Sequence, residues 1–384
     1  MLKVKNADEG LVPRTVVLTG GGTAGHVLPN VALLPHLREK FDRICYIGST
    51  SGLERKLVEP EELEYFGVPS ARLRRGFGVK NMARNAVIPF RLLCGVQQAR
   101  RILVKLRPAV VFSKGGFVAY PVVRAAAKLG IPVIAHESDK TMGLANRMSV
   151  RHCVRVCTTF KGVGNGDKFI HTGAPIRAKI YEGNGDIVAR RHNLAAVRNL
   201  LVLGGSLGAS SVNKTIRDAL PALVRDYNVI HICGKGKTVT IEQLPKLEGV
   251  KSSRYVQLEY VNDIQNYLAW ADIVVSRAGS NALCELMVLG KPVLFIPLAT
   301  GRGDQLDNVK EVLRHKAAVV LYEQNLDKES LKRGIEKLWR KREDFSRNAR
   351  LAVSDGTKTI SDTIYGVVCD TYKQQLMSRH GKLC

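Results

Sequence analysis

The sequence predicts an α/β protein made of two doubly wound parallel-sheet units. Three observations carry that prediction. Strand and helix patterns alternate over residues 15 to about 172, and the alternation restarts at Asn199. Each series opens with an apolar run that ends in glycines and leads into a helical pattern: Thr15-Val-Val-Leu18 before Gly20-Gly-Gly22, and Asn199–Leu203 before Gly204-Gly-Ser-Leu-Gly208. The chain of 384 residues is also long enough for two domains of roughly 100–200 residues each. The expected division is residues 1–172, a linker over 173–198, and residues 199–357.

The elements follow in order. Val16–Leu18 reads as a strand, Val27–Lys40 as a helix, Arg43–Ile47 as a strand and Glu54–Glu64 as a helix. A helix runs from Pro89 to about Leu106. Ala109–Phe112 is a strand, Tyr120–Leu129 a helix, Pro132–Ala135 a strand and Ala145–Val150 a helix. Gly173-Ala-Pro-Ile-Arg177 and Gly183-Asn-Gly break the alternation, which is why 173–198 reads as a linker. Then come the strand Asn199–Leu203, the helix Ser211–Leu223 and the strand Asn228–Cys233. Asp272–Ser276 and Pro292–Ile296 are strands around a helix from Ser280 to Leu289. Thr357–Arg379 has helical spacing and can pack on either unit.

Composition narrows the class. Lys and Arg number 59 against 34 Asp and Glu, a formal net charge of +25. The partner is therefore expected to be anionic: a phosphorylated substrate, an anionic membrane surface or nucleic acid. The 8 cysteines form no CxxC pair, which fits a reducing compartment better than a disulfide framework or a zinc site. The start, Met1-Leu-Lys-Val-Lys, has no apolar run behind a basic stretch, so no signal peptide is expected. No apolar run of about 18 residues predicts a membrane span.

From Tyr65 to His136 there is neither Asp nor Glu, while Arg72, Arg74, Arg75, Lys80, Arg84, Arg91, Arg100 and Arg101 all fall in that window. Phe77, Val87, Ile88, Phe90 and Leu93 are interleaved with them. Mixed apolar and basic residues at helical spacing suit an anionic lipid surface, although an ordinary solvated helix face has similar spacing. No nucleic-acid motif accompanies the charge.

Gly20-Gly-Gly22-Thr-Ala-Gly25 satisfies the GxGxxG pattern, but a dinucleotide site also needs an acid at the end of the second strand. That strand ends Cys45-Tyr-Ile-Gly-Ser-Thr50, without one. His26 follows the turn and is placed to take a proton from a hydroxyl, because imidazole titrates near neutral pH; the plain alternative is a structural histidine. His136-Glu-Ser-Asp139 ends another strand at the same sheet edge, and Glu137 can equally cap the following helix. Ser206 and its neighbouring amides suit a diphosphate. Ser276-Arg-Ala-Gly-Ser-Asn-Ala-Leu-Cys-Glu285 is a strand, a small-residue turn and a helix, with Glu285 placed for a ribose diol. Gly301-Arg-Gly-Asp-Gln-Leu-Asp-Asn308 brings amides and carboxylates suited to sugar hydroxyls. With no Asp-x-Asp at a strand end, no metal is expected to bridge a diphosphate.

Together GGGTAGHVLPN (20–30), KGGFVAYP (114–121), IPVIAHESD (131–139), GLANR (143–147), GAPIR (173–177), LGGSLGAS (203–210), SRAGSNALCE (276–285), GKPVLFIP (290–297) and GDQLDN (303–308) resemble the MurG family. Its members transfer N-acetylglucosamine from UDP-N-acetylglucosamine to lipid I, making lipid II on the inner face of the bacterial membrane. The resemblance implies a GT-B fold with a cleft between two Rossmann-like domains and the final helix, about 358–384, returning to the first. It implies an inverting transfer that needs no metal or cofactor, and a peripheral place on the cytoplasmic face of the membrane. It puts Thr23, Ala24 and Gly25 near the transferred sugar and His26 at the family's essential histidine. Glu137 and Asp139 are expected to orient groups or acceptor, and Arg177 and Ser206 to contact diphosphate. Val261 reads uracil. Ser280, Asn281, Ala282, Leu283, Cys284 and Glu285 lie over the α-phosphate and ribose, and Asp304 and Gln305 at the sugar. Many members have Asn at the position of Asp139 and Gln at that of Asp304. Other readings are a glycosyltransferase with diacylglycerol or an antibiotic as acceptor, and a non-enzymatic nucleotide-sugar or nucleic-acid binder.

Overall fold

The computed structural model describes residues 14–71, 85–205, 208–245, 254–300 and 303–380. The chain divides into two compact units, one made of Met1–Ser138, Met142–Arg177 and Asp355–Cys384, the other of Asp139–Thr141 and Ala178–Ser354.

The first unit holds β1 (Thr15–Thr19), β2 (Arg43–Ser49), β3 (Glu64–Val68), β4 (Val110–Ser113), β5 (Val133–Glu137), β6 (Arg155–Thr158) and β7 (Phe169–His171). They form one parallel sheet in the order β3-β2-β1-β4-β5-β6-β7. Its helices are α1 (Ala24–Arg38), α2 (Glu54–Val58), α3 (Ile88–Leu106), α4 (Ala119–Lys128) and α5 (Leu144–Ser149). The second unit holds α6 (Gly185–Arg191), β8 (Arg198–Leu203), α7 (Ser210–Asp226), β9 (Tyr227–Ile232), β10 (Tyr255–Leu258), α8 (Ile264–Trp270), β11 (Ile273–Ser276), α9 (Ser280–Val288), β12 (Val293–Phe295), α10 (Asp304–Arg314), β13 (Val319–Val320), α11 (Lys328–Arg340) and α12 (Arg342–Ala352). Its parallel sheet runs β10-β9-β8-β11-β12-β13. The last helix, α13 (Thr357–His380), belongs to the first unit.

Both faces of each sheet are covered, so the central strands are apolar throughout. Side chains alternate across β1: Val16 and Leu18 pack with Val27, Leu33 and Leu37 of α1 and with Ile360, Ile364 and Val368 of α13. Val17 packs on the opposite face with Val96, Ala99 and Leu103 of α3 and with Val122, Val123 and Ala126 of α4. α13 is tied down at its start, where Thr357 Oγ1 accepts from the Ile176 amide (2.8 Å) and the Gly356 amide donates to Ala174 O (2.7 Å).

Several segments differ from the sequence expectation. The expected helix Glu54–Glu64 ends at Val58; a short 3₁₀ turn follows and Glu64–Val68 is an edge strand. Within 173–198, read as the linker, residues up to Arg177 group with the first unit and those from Ala178 with the second. Residues 173–177 pair with the start of α13, and α6 is capped by Asn184 Oδ1, which accepts from the Asp186 amide (3.0 Å). Arg191 then anchors α6 through Asp263 (2.8 Å) and Tyr267 (3.1 Å).

A polar network lies within the second unit. Asn213 Nδ2 donates to Cys233 O (2.9 Å), so its Oδ1 is the acceptor for His231 Nε2–H (3.0 Å). Nδ1 of that ring then accepts from the Tyr255 hydroxyl (3.0 Å). His231 is wholly buried, and burial pushes its pKa down to about 3 from 6.5. Burial also holds His136, in the first unit, well below its ordinary value, with Lys114 adding to the effect. Between pH 6.5 and 3 the unfolded chain therefore carries a proton at residue 231 that the folded chain does not. Stability is present above pH 6.5 and falls as the pH drops through this window, by about 1.4 kcal/mol per pH unit for one such group. Urea unfolding from pH 7 to pH 5 will show a shallower loss in His231→Gln than in the wild type, although the variant starts less stable. Equal slopes would contradict the neutral, buried assignment.

Candidate active site

In both sheets the strand order reverses at the first strand, between β1 and β4 and between β8 and β11. Ligands of open parallel sheets bind beyond the carboxyl ends of strands at such reversals.

In the first unit two glycine turns meet there. The Gly21 amide donates to Gly115 O (3.3 Å). Gly22, Gly115 and Gly116 take φ of +88°, +91° and +83°, where a Cβ is strained. Contact demands glycine as well. A Cβ on Gly20 would overlap the His26 carbonyl, one on Gly22 the Phe117 ring, one on Gly115 the Asn146 amide, and one on Gly116 the Gly21 carbonyl. Below the turn, Tyr46 donates its hydroxyl to Gly20 O (2.9 Å) and accepts from Asn30 Nδ2 (3.2 Å). Glu54, fully buried, accepts from the Gly22 amide (2.5 Å) and from Ser49 Oγ (2.7 Å). The Gly21 and Gly22 amides are thus engaged within the protein, with the Glu54 carboxyl group behind them.

What the turn presents is Thr23, Ala24, Gly25 and His26. Thr23 is the extended N-cap residue of α1, and its Oγ1 lies 3.0 Å from His26 Nδ1. At the end of β5, Glu137 Oε2 accepts from the Gly143 amide (2.9 Å) and from Asn146 Nδ2 (2.9 Å), so the carboxylate pins the start of α5. Lys114, 2% exposed, bonds Ser138. Arg177 is half-buried at the end of the segment that pairs with α13.

Asp139 belongs with the second unit. Its Oδ1 accepts from Asn308 Nδ2 (3.0 Å), the Lys140 amide donates to Asn308 Oδ1 (2.9 Å), and Thr141 Oγ1 donates to Asp307 (2.5 Å). The turn after β8 has Gly205 and Gly208 at φ +76° and +67°. Lys237 Nζ donates to Gly208 O and Ser210 Oγ, both at 3.2 Å. Ser206 lies outside the described residues, as do Phe77 and Arg84. After β11, Arg277 forks onto both Glu323 oxygens (2.8 and 3.2 Å) and also donates to Ile296 O (3.1 Å). Hydrogen bonding from Arg277 holds Glu323 below the usual carboxylate range. Gln305 Oε1 accepts from the Ala278 amide (3.2 Å) and the Leu298 amide (2.9 Å), which fixes its side-chain orientation.

At the start of α9, Leu283 and Cys284 turn into the core, so what they offer a ligand is backbone; Ser280, Asn281, Ala282 and Glu285 are half-buried. Val261 sits half-buried just before α8, and Asp304 opens α10. On α3, Val87, Phe90 and Leu93 are 47%, 68% and 65% exposed and Arg91 is exposed; Ile88 is half-buried. Among the described residues no helix is long and apolar enough to cross a membrane.

Glu54 is the residue that sequence reasoning missed as a site residue. Its only signal was an acid five residues beyond the end of β2, past the place where a ribose-binding acid would stand.

Two parallel doubly wound units with small-residue turns at both reversals are the architecture of the GT-B fold. The family model described as the glycosyltransferase family 28 N-terminal domain matches residues 16–158, and that of the C-terminal domain matches residues 199–364. A UDP-N-acetylglucosamine–N-acetylmuramyl-(pentapeptide) pyrophosphoryl-undecaprenol N-acetylglucosamine transferase of Lachnospira eligens is 43% identical, over 86% of this chain and 93% of that protein. One of the same name from Clostridium kluyveri is 43% identical, over 91% and 99%. The crystal structure of Acinetobacter baumannii MurG superposes with a TM-score of 0.72 at 24% identity, covering 92% of this chain and 99% of that one. The chain belongs to glycosyltransferase family 28, and within it to the MurG family.

Proposed function

We propose that the chain transfers N-acetylglucosamine from UDP-N-acetylglucosamine to the C4 hydroxyl of the muramyl sugar of lipid I, forming lipid II with inversion at the transferred carbon. The observation that carries the chemistry is the Thr23–His26 contact on a turn whose own amides are engaged. When Nδ1–H donates to Thr23 Oγ1, Nε2 holds the lone pair and takes the proton of the attacking hydroxyl. The new C–O bond forms at the anomeric carbon as the bond to the UDP phosphate oxygen breaks.

Charge then develops on the diphosphate. Arg177, Ser206 and the backbone N–H groups that open α7 and α9 receive it, and one such donor is worth roughly 3 kcal/mol of barrier. Glu285 holds the ribose hydroxyls and Val261 reads uracil through its backbone. Gln305 turns its Nε2 donors to the sugar because its Oε1 is already held by two amides. Asp304 opens the same helix as a sugar contact. Glu137 acts by holding the start of α5, and Asp139 by holding Asn308.

A lipid-linked acceptor supports a peripheral place at a membrane. Exposed Val87, Phe90 and Leu93 with Arg91 and Ile88 form the surface proposed to meet anionic lipid on the cytoplasmic face; Phe77 and Arg84, outside the described residues, are proposed lipid contacts on their sequence alone.

His26→Ala is expected to lower kcat on the order of 10²–10⁴-fold while UDP-N-acetylglucosamine still binds by calorimetry; a variant with wild-type turnover would remove His26 from the mechanism. The double substitution Phe90→Ser, Leu93→Ser is expected to weaken sedimentation with phosphatidylglycerol vesicles by roughly tenfold or more. Added salt will weaken wild-type binding further. Vesicle binding unchanged by the substitutions would place the lipid contact elsewhere.

A further inference from the structure

Among the described residues the most deeply buried carboxylate is that of Glu54, at the start of α2. It has no exposure to solvent. Burying a carboxylate is costly unless donors meet it, and here two do: the Gly22 amide and Ser49 Oγ. A Cβ on Gly21 would overlap this carboxylate, so the turn lies directly on it. On the turn's other side stand Phe117 and Gly116. Next along the chain is Thr23, which meets His26 Nδ1. The contacts therefore run without a gap from Ser49 to Glu54, Gly22, Thr23 and His26.

We propose that Glu54 is a positioning residue for the transfer step: by holding the Gly22 amide it fixes the turn that sets Thr23 against His26. Its two donors and complete burial keep it from reaching a substrate, so it acts only through the turn.

The inference rests on the reading of His26 as the proton acceptor, and the test separates the two. Turnover of UDP-N-acetylglucosamine with a lipid I analogue is measured for Glu54→Ala, Glu54→Gln, Ser49→Ala and His26→Ala, with calorimetric stoichiometry giving the folded fraction. Glu54→Ala should lower kcat about 100-fold, the scale of a small misplacement at a reacting group, while the donor KM changes less than about twofold. Glu54→Gln keeps an oxygen for the Gly22 amide and an amide for Ser49 and should restore kcat to within about fivefold of wild type. Loss of kcat and donor binding in parallel, or a Glu54→Gln as slow as Glu54→Ala, would overturn the proposal. Should Glu54→Ala not fold, Ser49→Ala decides, with an expected drop in kcat of about tenfold at unchanged donor KM; wild-type kcat there would overturn it. Wild-type turnover in Glu54→Ala beside an inactive His26→Ala sinks this inference alone, whereas an active His26→Ala sinks the reading beneath it.

Discussion

The first unit depends on backbone approaching backbone where the strand order reverses. The turn after β1 and the turn after β4 meet through the Gly21 amide and Gly115 carbonyl, and side chains at Gly22, Gly115 or Gly116 would be strained in conformation and in collision with a neighbour. Beside that contact, Tyr46 takes the Gly20 carbonyl and Glu54 the Gly22 amide. The turn has the Glu54 carboxyl group behind it, and it leads into Thr23 and His26. Glycine here serves close packing, which is a different use from cradling an anion.

The second unit repeats the strand order and uses it differently. Its turns are braced from their flanks: Lys237 on Gly208 O, Arg277 across Glu323 and Ile296 O, and Gln305 between Ala278 and Leu298. These braces hold loop carbonyls, carboxylates and a few amides, and the helices α7 and α9 start at the turns, where first-turn N–H groups favour negative charge. One strand order thus supports two different kinds of turn, set by which partners the turn residues take.

Much of this was legible in the sequence because it is local. The apolar runs that became β1, β2, β4, β5, β8, β9, β11 and β12 end in glycine or small-residue turns, and the motif set as a whole pointed to the family and the GT-B fold. The short strands were not legible. β3, β6, β7, β10 and β13 are only two to five residues long, too short to show a period, and all but β6 lie at sheet edges. Glu54 read only as the start of a helix, because its partners Gly22 and Ser49 lie 32 and 5 residues away and only the folded turn joins them. Asp139 read as an extension of the His136–Ser138 strand end, yet its hydrogen bond is to Asn308, 169 positions along. Long-range polar pairing leaves no periodic trace in a chain.

The central claim is inverting transfer of N-acetylglucosamine to the muramyl sugar of lipid I. The most direct measurement supplies the wild-type enzyme with radiolabelled UDP-N-acetylglucosamine and a lipid I analogue, with UDP-glucose and diacylglycerol as competitors, and reads the product's anomeric configuration by NMR. The account predicts a β-linked disaccharide on the lipid I analogue and little transfer from UDP-glucose or to diacylglycerol. An α-linked product, or label moving to diacylglycerol in preference, would contradict it.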